Sequence, residues 1–90
     1  MIERKIKVIN KLGLHARASS KLAQTANRFA SSIQLSKDEQ SFVDTKSIMA
    51  LMLLAAGIGT ELLLRVDGED ELLAADEIEG LFADYFGEGG

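Results

Sequence analysis

The hydrophobic residues of this 90-residue chain recur every second position in some stretches and at helical spacing in others, and the two kinds of stretch alternate along the sequence. A period of two marks a half-buried strand and one of about 3.6 marks an amphipathic helix, so the chain must fold as mixed layers of sheet and helix. Ile2, Arg4, Ile6 and Val8 share one parity and Glu3, Lys5 and Lys7 the other, a strand that ends at Asn10-Lys11-Leu12-Gly13. From Ala16 the spacing of Ala18, Leu22, Ala26 and Phe29 predicts a helix over residues 16–29. Short strands follow at 32–36, where Ile33 and Leu35 alternate, and at 40–43, joined by the polar Lys37-Asp38-Glu39 turn as a hairpin. Ser47 is a natural N-cap for an apolar helix over 48–56, with Gly57 its left-handed terminating residue. A fourth strand spans 60–66, its alternation interrupted by Leu63. After Asp67-Gly68, the stripe Ala74, Ala75, Ile78, Leu81, Phe82 and Tyr85 predicts a helix over 70–86, with Glu69, Asp70 and Glu71 at its positive end and residues 88–90 frayed.

The order is β-α-β-β-α-β-α, read as a single domain over residues 1–90. Strands patterned on one face only predict an α+β open-faced β-sandwich, a four-stranded antiparallel sheet with three helices on one face. Pattern does not by itself separate its strand order from those of related split β-α-β folds.

The composition excludes several function classes. With no Cys and one His, the chain has neither a disulfide framework nor the ligands of a structural zinc site, and no cofactor is expected. The longest uninterrupted apolar or Gly run, from Ile48 to Gly59, is 12 residues, whereas a membrane-spanning helix needs about 20. Glu3 and Arg4 inside the first apolar alternation do not read as a signal peptide, so a cytoplasmic location is expected. The net charge of −4 hides an asymmetry: residues 1–46 carry nine Lys or Arg against four acids, residues 47–90 one Arg against ten acids. That suggests a basic binding face and an acidic remainder. Nucleic acid fits poorly, because the net charge is negative and most of the four Phe and one Tyr fall at core positions.

The chemistry converges on His15, between the Gly13-Leu14 turn and the first helix. Backbone N–H groups at a helix start lack intrahelical partners and attract anions, and Arg17 adds a planar guanidinium suited to phosphate oxygens. A positive helix end and Arg17 both favour an uncharged, nucleophilic ring. No second His, Cys or close carboxylate pair supplies a triad or an acid–base couple, so the site is suited to hold a phosphoryl group but not to process a substrate alone.

Gly13-Leu14-His15-Ala16-Arg17 and, further along, Lys46-Ser47-Ile48-Met49 resemble the two signature segments of the histidine-containing phosphocarrier proteins (HPr) of the bacterial phosphoenolpyruvate-dependent phosphotransferase system. Length, element order and motif spacing agree over essentially the whole chain. The resemblance implies that His15 accepts phosphate on Nδ1 from phosphorylated enzyme I and passes it to an enzyme IIA, and that Arg17 contacts the phosphate. It also implies that Ser47 corresponds to a serine that an ATP-dependent HPr kinase/phosphorylase modifies in many members; a monomer is expected. Many members have proline where Ala18 stands, which affects rigidity of the first turn and not chemistry. The first helix is less basic than usual, with Gln24 and Asn27 on it, leaving Arg17, Lys21, Arg28 and Lys46 to attract an acidic partner. The second helix is too apolar for one buried stripe, so Ile48, Met49 and Met52, with Ala16, Ser20, Lys21 and Gln24 of the first, are the expected docking surface. Two other readings compete: a ligand-binding regulatory module that dimerises through its sheet, with His15 structural, and the nitrogen-related regulatory branch of the same family.

Overall fold

The structure is a computed structural model that describes residues 1–88. Its strands are β1 (Ile2–Lys7), β2 (Ser32–Ser36), β3 (Val43–Asp44) and β4 (Glu61–Asp67), and its helices α1 (Ala16–Ala26), α2 (Ile48–Leu54) and α3 (Glu71–Ala83). The strands form one antiparallel sheet in the order β1-β4-β2-β3, with Ile6 opposite Leu62 and Ile33 opposite Val66. The alternation that predicted the strands also decides their faces. Leu62, Leu64 and Val66 of β4 are buried under the helices, and Leu63, the residue that interrupts the pattern, turns to the open face. Arg4, on the inward parity of β1, escapes the core by reaching α3, where one guanidinium nitrogen lies 2.8 Å from both Asp76 and Glu79.

All three helices pack on one face of the sheet. Ala18, Leu22 and Ala26 of α1, Leu51 and Leu54 of α2, and Ala74, Ala75, Ile78 and Phe82 of α3 meet the inward residues of the strands in one contiguous core. Each fully buried Leu, Ile or Phe contributes roughly 1.5–3 kcal/mol of transfer free energy. Asp70 precedes α3 without capping it. Its carboxylate instead accepts from the N–H groups of Ala30 and Ser31 and from the Ser31 hydroxyl, fastening the loop after α1 to the start of α3.

Four expected boundaries are corrected. Helix α1 stops at Ala26 and not at residue 29, because Asn27 turns its amide to Ala23 O at 2.8 Å and Lys46 O at 3.0 Å. The strand expected at 40–43 shrinks to Val43–Asp44: Asp38 accepts from the N–H groups of Gln40 and Ser41, and Glu39 takes φ 63°, so the turn widens into a loop. Helix α2 ends in a left-handed residue as expected, but that residue is Ala55 at φ 53° and not Gly57, while Ala56 O is held by the Leu14 N–H at 2.9 Å. Finally, α3 ends at Ala83, and Tyr85, Phe86 and Gly87 follow as a turn with φ 57°, 53° and 75°. Tyr85 is thereby half-exposed, whereas Phe86 is buried with its ring edge-on to Phe82, centroids 4.8 Å apart. Gly89 and Gly90, expected to fray, lie outside the described residues; Glu88, grouped with them, is docked on the molecule.

Candidate functional site

Gly13, at φ 64°, sets the entry to α1. A Cβ there would strike Ala56 O and come within 2.8 Å of Gly57 Cα, so only glycine lets this turn lie against the end of α2. Leu14 is buried beneath the turn, and His15 occupies the N-cap position of α1 with extended backbone, φ −76° and ψ −179°. Its carbonyl accepts the first helical bond, from Ser19 N at 2.8 Å, and its side chain makes no capping bond. The imidazole therefore stands clear of the backbone beside the unpaired N–H groups of the first turn. It borders an open depression also lined by Lys11, Arg17, Lys21, Gly87 and Glu88.

Arg17 is exposed in that depression and makes no hydrogen bond or ion pair among the described residues, so its guanidinium can turn to an arriving anion. Lys21 differs, because its ammonium donates to Phe86 O at 2.7 Å and fastens the turn that follows α3. Lys46 is likewise committed, to Phe29 O at 2.8 Å, while Arg28 lies over the Phe29 ring. Of the four cations expected to attract a partner, Arg17 is thus the one at His15 with no internal commitment among the described residues.

One participant has no signal in the sequence near the motif. Glu88, 73 residues further on, brings its carboxylate to His15 Nε2, and its other oxygen accepts from Asn10 Nδ2 at 3.1 Å. Burial pushes the Glu88 carboxyl up, but the hydrogen bonds from Asn10 and His15 and the charges of His15 and Arg17 outweigh it, so the group lies below the usual glutamate range. Asn10 is completely buried, and its amide also donates to Gly13 O at 2.8 Å.

Ser47 is the N-cap of α2, its hydroxyl accepting from Ala50 N at 3.2 Å, as the sequence predicts. Of the expected docking residues, Ala16, Lys21 and Gln24 are exposed on α1 and Ser20 is half-buried. Ile48, Met49 and Met52 are exposed on α2, Met49 by 70%. Leu12, Leu53 and Ile58, which were not singled out, are also exposed apolar residues. Among the described residues no helix is long and apolar enough to cross a membrane, and no group of three or more His, Asp or Glu is disposed to hold a metal ion.

The chain resembles known proteins over nearly its whole length. The family profile described as the PTS HPr component phosphorylation site matches residues 2–84. The phosphocarrier protein HPr of Cupriavidus necator is 52% identical over 89 residues, covering 99% of each chain. That of Neisseria meningitidis serogroup A is 51% identical with the same coverage. Among solved structures, HPr-C-His from Thermoanaerobacter tengcongensis superposes with a TM-score of 0.93 at 40% identity, covering 98% of each chain.

Proposed function

The chain belongs to the HPr family and is a phosphocarrier protein of the phosphotransferase system, a carrier and not a catalyst, and from this premise we propose that His15 is the residue that carries the phosphoryl group. The observation that supports this most is the placement of the ring: the chain's one histidine stands at a helix start, with no capping bond to the backbone, in an open depression with an uncommitted Arg17. Nδ1 attacks the phosphorus of a phosphorylated donor, the bond to the donor breaks with its electron pair leaving on the donor, and the same exchange in reverse loads an acceptor. Arg17 and the N–H groups of the first turn of α1 neutralise the phosphoryl oxygens. Enzyme I is the donor and an enzyme IIA the acceptor, within a cytoplasmic system.

The docking surface is the apolar patch of Ile48, Met49 and Met52 on α2 together with Ala16, Ser20, Lys21 and Gln24 on α1, two helices that pack against each other. Such an arrangement suits a monomer that serves two partners in turn, since each can cover the same face. Ser47 lies at the border of this patch and is the proposed site of regulatory modification by an HPr kinase. Incubation with enzyme I, magnesium and phosphoenolpyruvate is expected to add one acid-labile phosphate to the protein and none to His15→Ala. Equal labelling of the two would overturn the assignment of His15.

A further inference from the structure

From the contacts around the imidazole we infer that Glu88 is a positioning residue that fixes the tautomer of His15, holding the proton on Nε2 and leaving a bare lone pair on Nδ1. This rests on the proposal that His15 is the phosphoryl carrier. An ionised carboxylate only accepts hydrogen bonds, so the ring nitrogen facing Glu88 must be the one that bears hydrogen. In a neutral imidazole the other nitrogen is then unprotonated.

The orientation of the carboxylate is itself determined. Asn10 is fully buried with its amide nitrogen pinned by Gly13 O, and rotating that amide by half a turn would set two carbonyl oxygens against each other. Its donor therefore always faces Glu88 Oε1, at 3.1 Å, and its own Oδ1 is left without a hydrogen-bond partner among the described residues. The backbone that delivers Glu88 is equally constrained. Tyr85, Phe86 and Gly87 all take positive φ, a conformation that costs non-glycine residues on the order of 1–3 kcal/mol each. The buried Phe86 ring and the Lys21 bond to Phe86 O hold the turn in this form, and at Gly87 a Cβ would come within 3.1 Å of that Lys21 nitrogen. A strained turn is thus retained where it returns the chain from α3 to the start of α1.

The consequence for transfer is that no proton has to leave Nδ1. The N–P bond forms on an existing lone pair, the donor's bond to phosphorus breaks with its electrons going to the donor, and the Nε2 proton stays in place. The positive charge that the ring acquires lies against the Glu88 carboxylate, on the side away from the phosphoryl group.

Glu88→Gln distinguishes this role from simple packing. Asn10 still donates to the side-chain oxygen, so the new amide NH2 faces His15 Nε2 and makes it the acceptor, moving the ring proton to Nδ1. In carboxylate–imidazole pairs, that exchange preserves geometry and selects the wrong tautomer. Nitrogen-15 NMR of histidine-labelled protein is expected to show Nε2–H in the wild type, Nδ1–H in Glu88→Gln, and a mixture in Glu88→Ala. Phosphoryl uptake from enzyme I is expected to slow by at least about tenfold in Glu88→Gln, by less in Glu88→Ala, and to recover in part in Glu88→Asp. If Glu88→Gln keeps the Nε2–H form, or transfers no more slowly than Glu88→Ala, the inference is overturned. If the wild type gains no phosphate on His15, the carrier assignment fails instead, and the NMR arm still decides the tautomer.

Discussion

On the proposal that His15 carries the phosphoryl group, the residues around it divide into those placed to meet that group and those that prepare the ring. Arg17 belongs to the first kind, since its guanidinium has no competing partner among the described residues. Lys21 belongs to the second, because its ammonium is spent on Phe86 O and through it on the turn that carries Glu88. Removing a donor aimed at developing charge typically costs about a hundredfold in rate or more, whereas losing one hydrogen bond costs about 1 kcal/mol of local stability. Arg17→Ala is therefore expected to slow transfer at least about tenfold with an unchanged melting temperature. Lys21→Ala should slow it less and lower the melting temperature slightly, and rapid-quench kinetics beside thermal melts separate the two. Equal slowing would mean that Arg17 acts only through its long-range field. The places of His15 and Arg17 at the start of α1 and the Ser47 cap on α2 were legible in the sequence because each depends on neighbours within a few positions. Glu88 was not, because a carboxylate in a Gly-flanked terminal stretch reads as solvated, and only the left-handed turn at 85–87 brings it back across the fold.

Among the elements, the strand faces and helix stripes followed directly from periodicity, since burial of alternate or i, i+3, i+4 positions is what forms them. Their ends did not, because they are settled by single hydrogen bonds from distant side chains and loops. Asn27 closes α1 against Lys46 O, and Ala55 rather than Gly57 takes the left-handed position because the chain must present Ala56 O to Leu14 N. The Gly13 turn completes that junction, and Gly13→Ala is expected to destabilise the protein by more than about 1 kcal/mol, seen as a shifted denaturant midpoint; an unshifted midpoint would show that the loop after α2 yields. Hydrogen bonds from the Ser41 and Gln40 N–H groups and the Ser36 hydroxyl hold the Asp38 carboxyl down, from the usual 3.8 to about 2. A carboxyl whose folded value is depressed stabilises the fold above its unfolded value and loses that contribution as pH falls through the folded one. The difference in melting temperature between wild type and Asp38→Asn should thus be constant near neutrality and shrink between about pH 4 and pH 2. A difference independent of pH would mean that the loop is held without the charge.

For the molecule as a whole, the charge asymmetry of the sequence becomes a spatial one. Lys11, Arg17 and Lys21 border the depression at His15, while Asp76, Glu77 and Asp84 line a groove between α1 and α3. On the proposed docking face, such a distribution would orient the molecule toward an acidic partner, with Ile48, Met49 and Met52 exposed to meet it. A carboxylate introduced into that face should then oppose docking without disturbing the fold. At Met49, 70% exposed, the side chain has no core to lose, so Met49→Asp is expected to weaken binding to enzyme I in calorimetry and leave the melting temperature within about a degree. Ser47 sharpens the comparison, because aspartate is as good an N-cap as serine and can still accept from Ala50 N. Ser47→Asp should therefore melt like the wild type, while Ser47→Ala, with the cap removed, loses about 1 kcal/mol. Transfer should order differently: Ser47→Ala close to wild type, and Ser47→Asp slowed, most at low salt where repulsion is least screened. A phosphate at Ser47 brings roughly −1.5 to −2 charges in place of one and should produce the same effect more strongly. Measuring transfer from enzyme I across a salt series, beside a melt of each variant, decides the matter. If Ser47→Asp transfers as fast as wild type at low salt, charge at this border does not reach the partner, and Ser47 serves α2 as a cap alone.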